Sequence, residues 1–385
     1  MRLDNTMTMR VSATLLCLML PAALLATEND DAFRDYINNV ICLNPQGDLV
    51  VTCNAATITI GGSGSTLSQT GNTGTQGSND LSARNQVDQA VSGDAEAIRI
   101  QQQRWGVFSN IEYRNLDRDL TAIENGFDGS SVVVTVGADY RVNSAMLVGF
   151  AGSYGDTDIE FNGDSGGVDS ERYEWIAFAN YQLNDALYVD GYAGLTQRSN
   201  DMTRSVRFGQ IQYDAQGDFD SDADQWGLGA GYQFSAGPIA LDVALRYDSG
   251  SVDVEAYEET GGDVIENLNL RYEAQTIDSR TVTLALYSVF NVSLQSGVMA
   301  PYVRAEAVSE HEDEAREISS HLVVAPDAEA FVVRTDTPDD LYGTVGMGVQ
   351  FVAPGGLMLY IDAESLVAHD FLNTWSLSSG FRLEL

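Results

Sequence analysis

The sequence predicts an all-β protein: a twelve-stranded antiparallel transmembrane β-barrel with a short N-terminal extension and a candidate pore-threading helix. Three observations predict it. From Arg104 to Leu385, apolar and polar residues alternate with a period of two, in stretches long enough for the roughly 9–11 tilted residues that cross hydrocarbon. The non-apolar face of these stretches carries charges of both signs in close succession, which suits a wet, narrow lumen better than the solvent face of a sandwich. The connections alternate between short and long, as periplasmic turns and outer loops do.

The elements follow in order. Residues 1–26 read as an export signal: Arg2 and Arg10 flank the start, and the apolar run Val11 to Ala26, interrupted by Pro21, ends in small residues and is too short for a membrane-spanning helix. Residues 27–60 open with DDAFRDYINNVICL, where Phe33, Tyr36, Ile37, Val40 and Ile41 recur at helical spacing behind a cap at Asp30 or Asp31. Cys42 and Cys53 are the even pair left after signal removal, and an oxidising compartment favours a disulfide between them. Residues 61–80, rich in Gly, Ser, Thr and Asn, read as a flexible linker. Residues 81–103 are helix-friendly, about 34 Å long if helical throughout. This stretch is polar nearly all round, with Gly93 in its middle, so it suits a polar channel or a solvated linker and cannot face lipid.

Residues 104–385 form the barrel. Twelve alternating stretches begin near Arg104, Ser130, Ala145, Glu171, Ala186, Ala223, Pro238, Ser279, Val298, Leu341, Gly356 and Asn373. Short joints fall at 142–144, 184–185, 236–237, 295–297 and 354–355; long polar loops are expected at 115–129, 156–169, 200–222, 251–277 and 311–339. Pro301, inside the ninth stretch, is the one awkward proline. Lumen-lining charges are expected in close pairs: Asp139 with Arg141, Arg172 with Glu174, Asp242 with Arg246, Arg304 with Glu306, and Arg382 with Glu384. Tyr113, Tyr140, Tyr154, Tyr181 and Tyr247 are placed for interfacial girdles. In the last stretch Trp375, Leu377, Phe381, Leu383 and Leu385 share one parity, a lipid face that must zip to the first strand to close the barrel, because only closure satisfies every backbone group in lipid.

Bulk charge narrows the function classes. The 20 basic residues are all arginine and face 56 acidic ones, for a formal charge of −36, which repels nucleic acid. An acidic excess of this size suggests a salty or divalent-rich setting that screens it. Disorder is the other reading of high charge, but apolar residues make up 44% of the chain and recur in register.

The motifs WGVFSNIEY at Trp105, GADYRVNSAMLVGFAGSYGDTD from Gly137, YVDGYAGL from Tyr188, PYVRAEAVSEHED from Pro301 and the closing SSGFRLEL resemble, in that order, the landmarks of the autotransporter β-domain family, the translocators of type V secretion. The resemblance implies a twelve-stranded barrel in the outer membrane of a Gram-negative bacterium, usually preceded by a helix that threads the lumen, where residues 81–103 lie. It also implies that the terminal strand is read by the outer membrane insertion machinery.

Other motifs have blander readings. GDSGG (163–167) mimics a serine-protease nucleophile loop, but the histidines, His311, His321 and His369, all lie far downstream, so no catalytic residue is expected. The glycines of GLGAGYQFSAG at 227 alternate within a strand and belong to close packing on the lumen face rather than to a nucleotide loop. Asp220, Asp222 and Asp224 share the parity of Trp226, so they should project outward just above the membrane, at the level of lipopolysaccharide phosphates. There they form a solvated acidic rim or bridge through Ca²⁺ or Mg²⁺; no cofactor and no committed metal site is expected.

The functional expectation is therefore an outer membrane barrel, non-enzymatic, that translocates or displays its short N-terminal segment, with outer membrane lipids, lipopolysaccharide and the insertion machinery as partners. The alternative is a structural or adhesive barrel with acidic surface loops and no exported passenger.

Overall fold

A computed structural model describes Tyr36, Thr59–Ile60 and residues 104–385, apart from 209–210, 237–238, 263–267 and 313. The signal peptide (1–26), the Cys42–Cys53 pair, the linker (61–80) and the pore-threading helix (81–103) lie outside the described residues. Tyr36 is helical, and Thr59–Ile60 form strand β1.

The barrel strands are β2 (Trp105–Arg118), β3 (Phe127–Arg141), β4 (Met146–Phe161), β5 (Gly166–Gln182), β6 (Leu187–Phe208) and β7 (Ile211–Ala236). They continue with β8 (Ile239–Val254), then, past β9 (Tyr257–Glu258) and β10 (Leu270–Tyr272), with β11 (Gln275–Phe290). The short β12 (Val292–Leu294) leads to β13 (Gly297–Glu310). Beyond β14 (Glu317–Leu322) and β15 (Phe331–Arg334), the barrel resumes with β16 (Leu341–Val352), β17 (Leu357–Val367) and β18 (Leu372–Glu384). β2 to β8, β11, β13 and β16 to β18 pair antiparallel with their neighbours as a closed twelve-stranded cylinder. Closure runs from Leu372 opposite Arg118 to Glu384 opposite Gly106, and Leu385 N donates to Trp105 O at 2.8 Å. All twelve expected strands are present.

One end of the cylinder carries tight turns. Asn184 Oδ1 accepts from the Ala186 and Leu187 N–H groups, and Asn143 Oδ1 from Ala145 N, as Asx turns do. Gly355 and Gly356 turn β16 into β17 with φ of 96° and 88°, a region open to glycine at little cost. Pro301 is harmless because it falls in a gap of the ladder, between Val289 opposite Tyr302 and Val292 opposite Met299.

Within the membrane band the outward face is apolar. Aromatic pairs mark its edges: Trp105 beside Tyr140 at the turn end, and Tyr113 beside Trp375, Tyr154 beside Tyr173 and Trp226 beside Tyr247 nearer the loop end. Trp105 and Tyr113 share one face of β2, and strand rise with a tilt of about 40° puts them roughly 20 Å apart along the barrel axis. Tyr181 and Tyr247 also point outward, as expected.

Beyond the loop-end girdle the strands do not stop. The expected loops at 156–169 and 200–222 are strand for nearly their whole described length, leaving a turn at 162–165. Their polarity reverses instead. Along β6, Leu195 faces out and Thr196, Arg198 and Asn200 face in; higher up, Asp201 faces out while Met202 and Val206 are buried inside. Along β7, Trp226 and Leu228 face out below, and Asp218, Asp220, Asp222 and Asp224 face out above, with Phe219 and Ala223 inside.

The expected loops at 251–277 and 311–339 are likewise structured in part. They supply a second antiparallel sheet, ordered β15-β14-β10-β9. Leu268, Leu270, Tyr272, Ile318, Leu322, Phe331 and Val333 from this region share one buried apolar cluster with Leu116, Phe127, Ile159, Val168, Met202, Phe219, Val252, Ile277 and Leu372 from the barrel's inner wall. The loop end of the cylinder is therefore filled by a hydrophobic core with its own capping sheet.

Candidate functional site: a polar bore under an apolar cap

The bore inside the membrane band is lined by hydrogen-bonded charge. At the turn end Arg382 bonds Asp139 at 2.6 Å and Glu384 at 3.0 Å, lying against Gly106, where a Cβ would sit 2.2 Å from the guanidinium. On the next wall Arg246 bonds Asp190 at 2.6 Å and covers the Tyr192 ring, whose hydroxyl donates to Asp248 at 2.8 Å. Asp242 accepts from Tyr188 Oη at 3.1 Å and Gln233 Nε2 at 2.9 Å. Opposite, Arg304 bonds Asp362 at 2.6 Å and Glu364 at 2.7 Å, and Tyr302 donates to Asp362. Arg172 and Glu174 are buried on the bore face of β5, where Gln225 donates to Glu174 at 2.7 Å.

Each expected lumen charge thus faces the bore, including Arg141 and Glu306, which are half-buried on the lumen parity of β3 and β13. The expected pairings are corrected. Asp139 bonds Arg382 rather than Arg141, Asp242 is partnered by Tyr188 and Gln233 rather than Arg246, and Arg304 bonds β17 rather than Glu306, which takes the Thr344 hydroxyl at 3.3 Å. Same-face residues of one strand are about 6.6 Å apart and parallel, while neighbouring strands lie about 4.8 Å apart, so partners are found mostly across strands. Arg382 with Glu384 keeps the expected along-strand contact, as does Arg114 with Glu112 at 2.6 Å. The glycine string packs as expected: a Cβ at Gly231 would lie 2.2 Å from Tyr188 Cζ, and one at Gly227 2.4 Å from Tyr192 Cε1.

Above the bore, two buried ion-pair clusters fasten the cap. Arg204 of β6 holds the Glu259 carboxylate with both Nε and Nη2 and donates to Leu268 O at 3.0 Å; Leu270 N donates to the same carboxylate at 2.8 Å. Arg118 bonds Glu124 at 2.7 Å and Asp336 at 2.6 Å, and its guanidinium lies 4.8 Å from the Phe371 ring centre. Burial raises the Glu124 carboxyl above its ordinary range. His369 sits in the β17–β18 turn, with Nδ1 accepting from Leu372 N at 3.2 Å and lying 3.1 Å from Asp339; burial, then the Arg118 charge, hold its pKa down to about 3, so it is neutral. Arg118, Arg204 and Glu259 were missed as functional side chains. Their only sequence signal was charge inside stretches read as polar loop.

The outer wall above the girdle is acidic. Asp158, Asp169, Asp201 and Asp218 stand directly opposite one another across β4, β5, β6 and β7. Burial and then the neighbouring Asp158, Asp156 and Asp201 raise the Asp169 carboxyl. Asp220, Asp222 and Asp224 project outward on the parity of Trp226, as expected. No group of residues that could hold a metal ion occurs among the described residues, and no described helix is long and apolar enough to cross a membrane.

GDSGG lies at the β4–β5 turn, with Asp164 at φ 54°. Ser165 is buried there and donates to Asn162 O at 2.7 Å. Half-buried His321 meets exposed Glu273 at 3.2 Å on the cap sheet.

Two parts of the N-terminal segment are placed, and both lie at the loop end. Thr59 and Ile60 pair with Arg207 and Val206, on the edge of β6 beyond the Gly166 end of β5. Tyr36 is 9% exposed, with its ring centre 5.5 Å from that of Phe331.

Comparison with known proteins agrees with this architecture. The translocator domain of the autotransporter NalP from Neisseria meningitidis superposes with a TM-score of 0.58 at 13% identity, covering 81% of this chain and 97% of that one. The β-domain of the Bordetella autotransporter BrkA gives 0.53 at 15% identity, covering 73% and 100%. Among curated sequences, the uncharacterized protein of the trpE-trpG intergenic region of Pseudomonas putida is 28% identical over 55% of this chain and 35% of its own length. Esterase EstA of Pseudomonas aeruginosa is 24% identical over 65% of this chain and 38% of its own length, so the chain spans little more than a third of these relatives. A model of the autotransporter β-domain matches residues 107–364. The chain belongs to the autotransporter β-domain family, whose barrels reside in the outer membrane of Gram-negative bacteria.

Proposed function

We propose that the barrel carries its N-terminal segment through the outer membrane and displays it at the cell surface. One observation supports this reading above the others: Thr59–Ile60, which precede the barrel in sequence, add to β6 at its loop-end tip, far from the turn end where β2 begins. Short turns face the periplasm and long connections face outward in outer membrane barrels, which puts this tip outside the cell. A bore lined by Arg, Asp, Glu, Tyr and Gln offers hydrogen-bond partners to an extended backbone in transit, which an apolar bore could not. The apolar belt contacts outer membrane lipids, and the outward carboxylates from Asp218 to Asp224 form a solvated acidic rim at lipopolysaccharide level. The lipid face of Trp375, Leu377, Phe381, Leu383 and Leu385 is what the insertion machinery reads.

This function requires no catalysis. Ser165 is tied into a turn, His321 meets Glu273, and neutral His369 accepts from the Leu372 N–H, so these side chains hold local structure. The esterase activity in the name of EstA belongs to that protein.

An epitope tag placed in residues 61–80 tests the reading. Antibody should reach the tag on intact cells. Labelling only after permeabilisation would establish the structural or adhesive barrel, with the segment held in the periplasm.

A further inference from the structure

We propose that the capping sheet is a docking seat for the N-terminal segment of the same chain, so that the segment stays bound at the cell surface through the apolar face of the helix bearing Tyr36. The inference rests on the surface reading above and goes further: display by the tether alone requires no seat.

Tyr36 lies far from the barrel in sequence, yet it is buried in the same apolar cluster as the cap. Its ring packs against Phe331 of β15 at 5.5 Å between centres, tilted by 33°, within the range where aromatic pairs attract. Its hydroxyl lies toward the backbone of Leu322 in β14. A buried aromatic ring packed against another in an apolar cluster is the pattern of an interface anchor.

The segment's sequence offers further apolar residues beside Tyr36. In DAFRDYINNVI, Phe33, Ile37 and Val40 fall three before, one after and four after Tyr36, on one stripe of a helix. Such a short helix is not stable in water by itself and needs an apolar surface to hold it. Phe331 lies on the terminal strand of the capping sheet, which among the described residues pairs only with β14. Downstream, Thr59–Ile60 add to the free edge of β6, a second attachment on the same end of the molecule.

The experiment uses the full chain on intact cells, with a protease recognition site inserted in residues 61–80 and a tag near residue 28. After cleavage the tagged fragment should remain on the cells. Tyr36→Ala should release it about tenfold faster or more, as loss of an anchor does, and Tyr36→Phe should fall between. Phe331→Ala should release it too; because that change could loosen the cap itself, the Tyr36 variants, which leave the barrel sequence untouched, decide the matter, with the heat-dependent gel shift reporting an intact barrel. Immediate loss of the wild-type fragment overturns the docking seat and leaves surface display standing. Release that is unchanged in Tyr36→Ala also overturns it. Failure to cleave on intact cells, with cleavage after permeabilisation, overturns both readings.

Discussion

The same strands build two interiors. In the membrane band β6 turns Asp190 and Tyr192 inward and Val189 and Leu195 outward; beyond the girdle it turns Met202 and Val206 inward and Asp201 outward. Solvent explains the reversal. Where lipid lies outside, apolar side chains must face out and the bore keeps the charge; where water lies outside, ordinary globular logic returns and the apolar side chains form a core. The point of reversal, between Trp226 and Asp224 on β7 and between Leu195 and Gln197 on β6, therefore marks the membrane boundary from sequence and fold alone.

This contrast can be broken most severely at the buried ion pair of the upper interior. Arg204→Met leaves Glu259 buried without its cation, and we expect a loss of about 3–5 kcal/mol in the cap. Hydrogen exchange over 255–272 reads it, and adding Glu259→Met should restore much of the protection. Next comes the outward face. Leu228→Arg, in the lipid belt, should cost about 2–4 kcal/mol in refolding from denaturant into bilayers, whereas Asp222→Leu, a few residues along the same face, should change stability by less than about 0.5 kcal/mol. If the two substitutions cost the same, the boundary is misplaced. In the polar lower interior, Arg382→Ala removes hydrogen bonds to Asp139 and Glu384, and about 1–3 kcal/mol is expected, seen as a lower temperature for the gel shift of the folded barrel.

The smallest effect concerns the acidic wall. Asp169 has a folded pKa raised above its unfolded value, so the folded state binds its proton more readily and the group destabilises the fold above that pKa. Acidification through the raised pKa should relieve the repulsion, and added salt at neutral pH should do the same by screening. Slower exchange of the β5–β6 amides near Asp169 under both conditions is the expected result; faster exchange under both would contradict it.

Much of this was legible in the sequence. The twelve strands, the lipid face of β18, the outward Asp220 to Asp224 and the packing of Gly227 and Gly231 all follow from period two. The upper interior did not, although its signal was present: Met202, Val206, Ala215, Phe219, Val252 and Val254 alternate as regularly as the belt does. They alternate in the opposite phase, so a reading that expects apolar residues on the lipid parity sees a strand end and a polar loop. The capping sheet was hidden for another reason. Its strands β9, β10, β14 and β15 are two to six residues long and pair across gaps that span β11 and β13. Charge pairing in the bore was misread for a third, because parity names a face and says nothing about which neighbouring strand lies beside it.

The condensed core at the loop end has a temporal consequence. A polypeptide threading the cylinder and the side chains of Leu116, Phe127, Met202, Phe219, Leu270 and Phe331 compete for one volume. On the proposed transit, passage must therefore finish before those groups come together, and once they have, reopening means exposing them all to water at once. Maturation of the mouth then acts as a ratchet, making the final state hard to reverse without any source of energy other than the collapse itself.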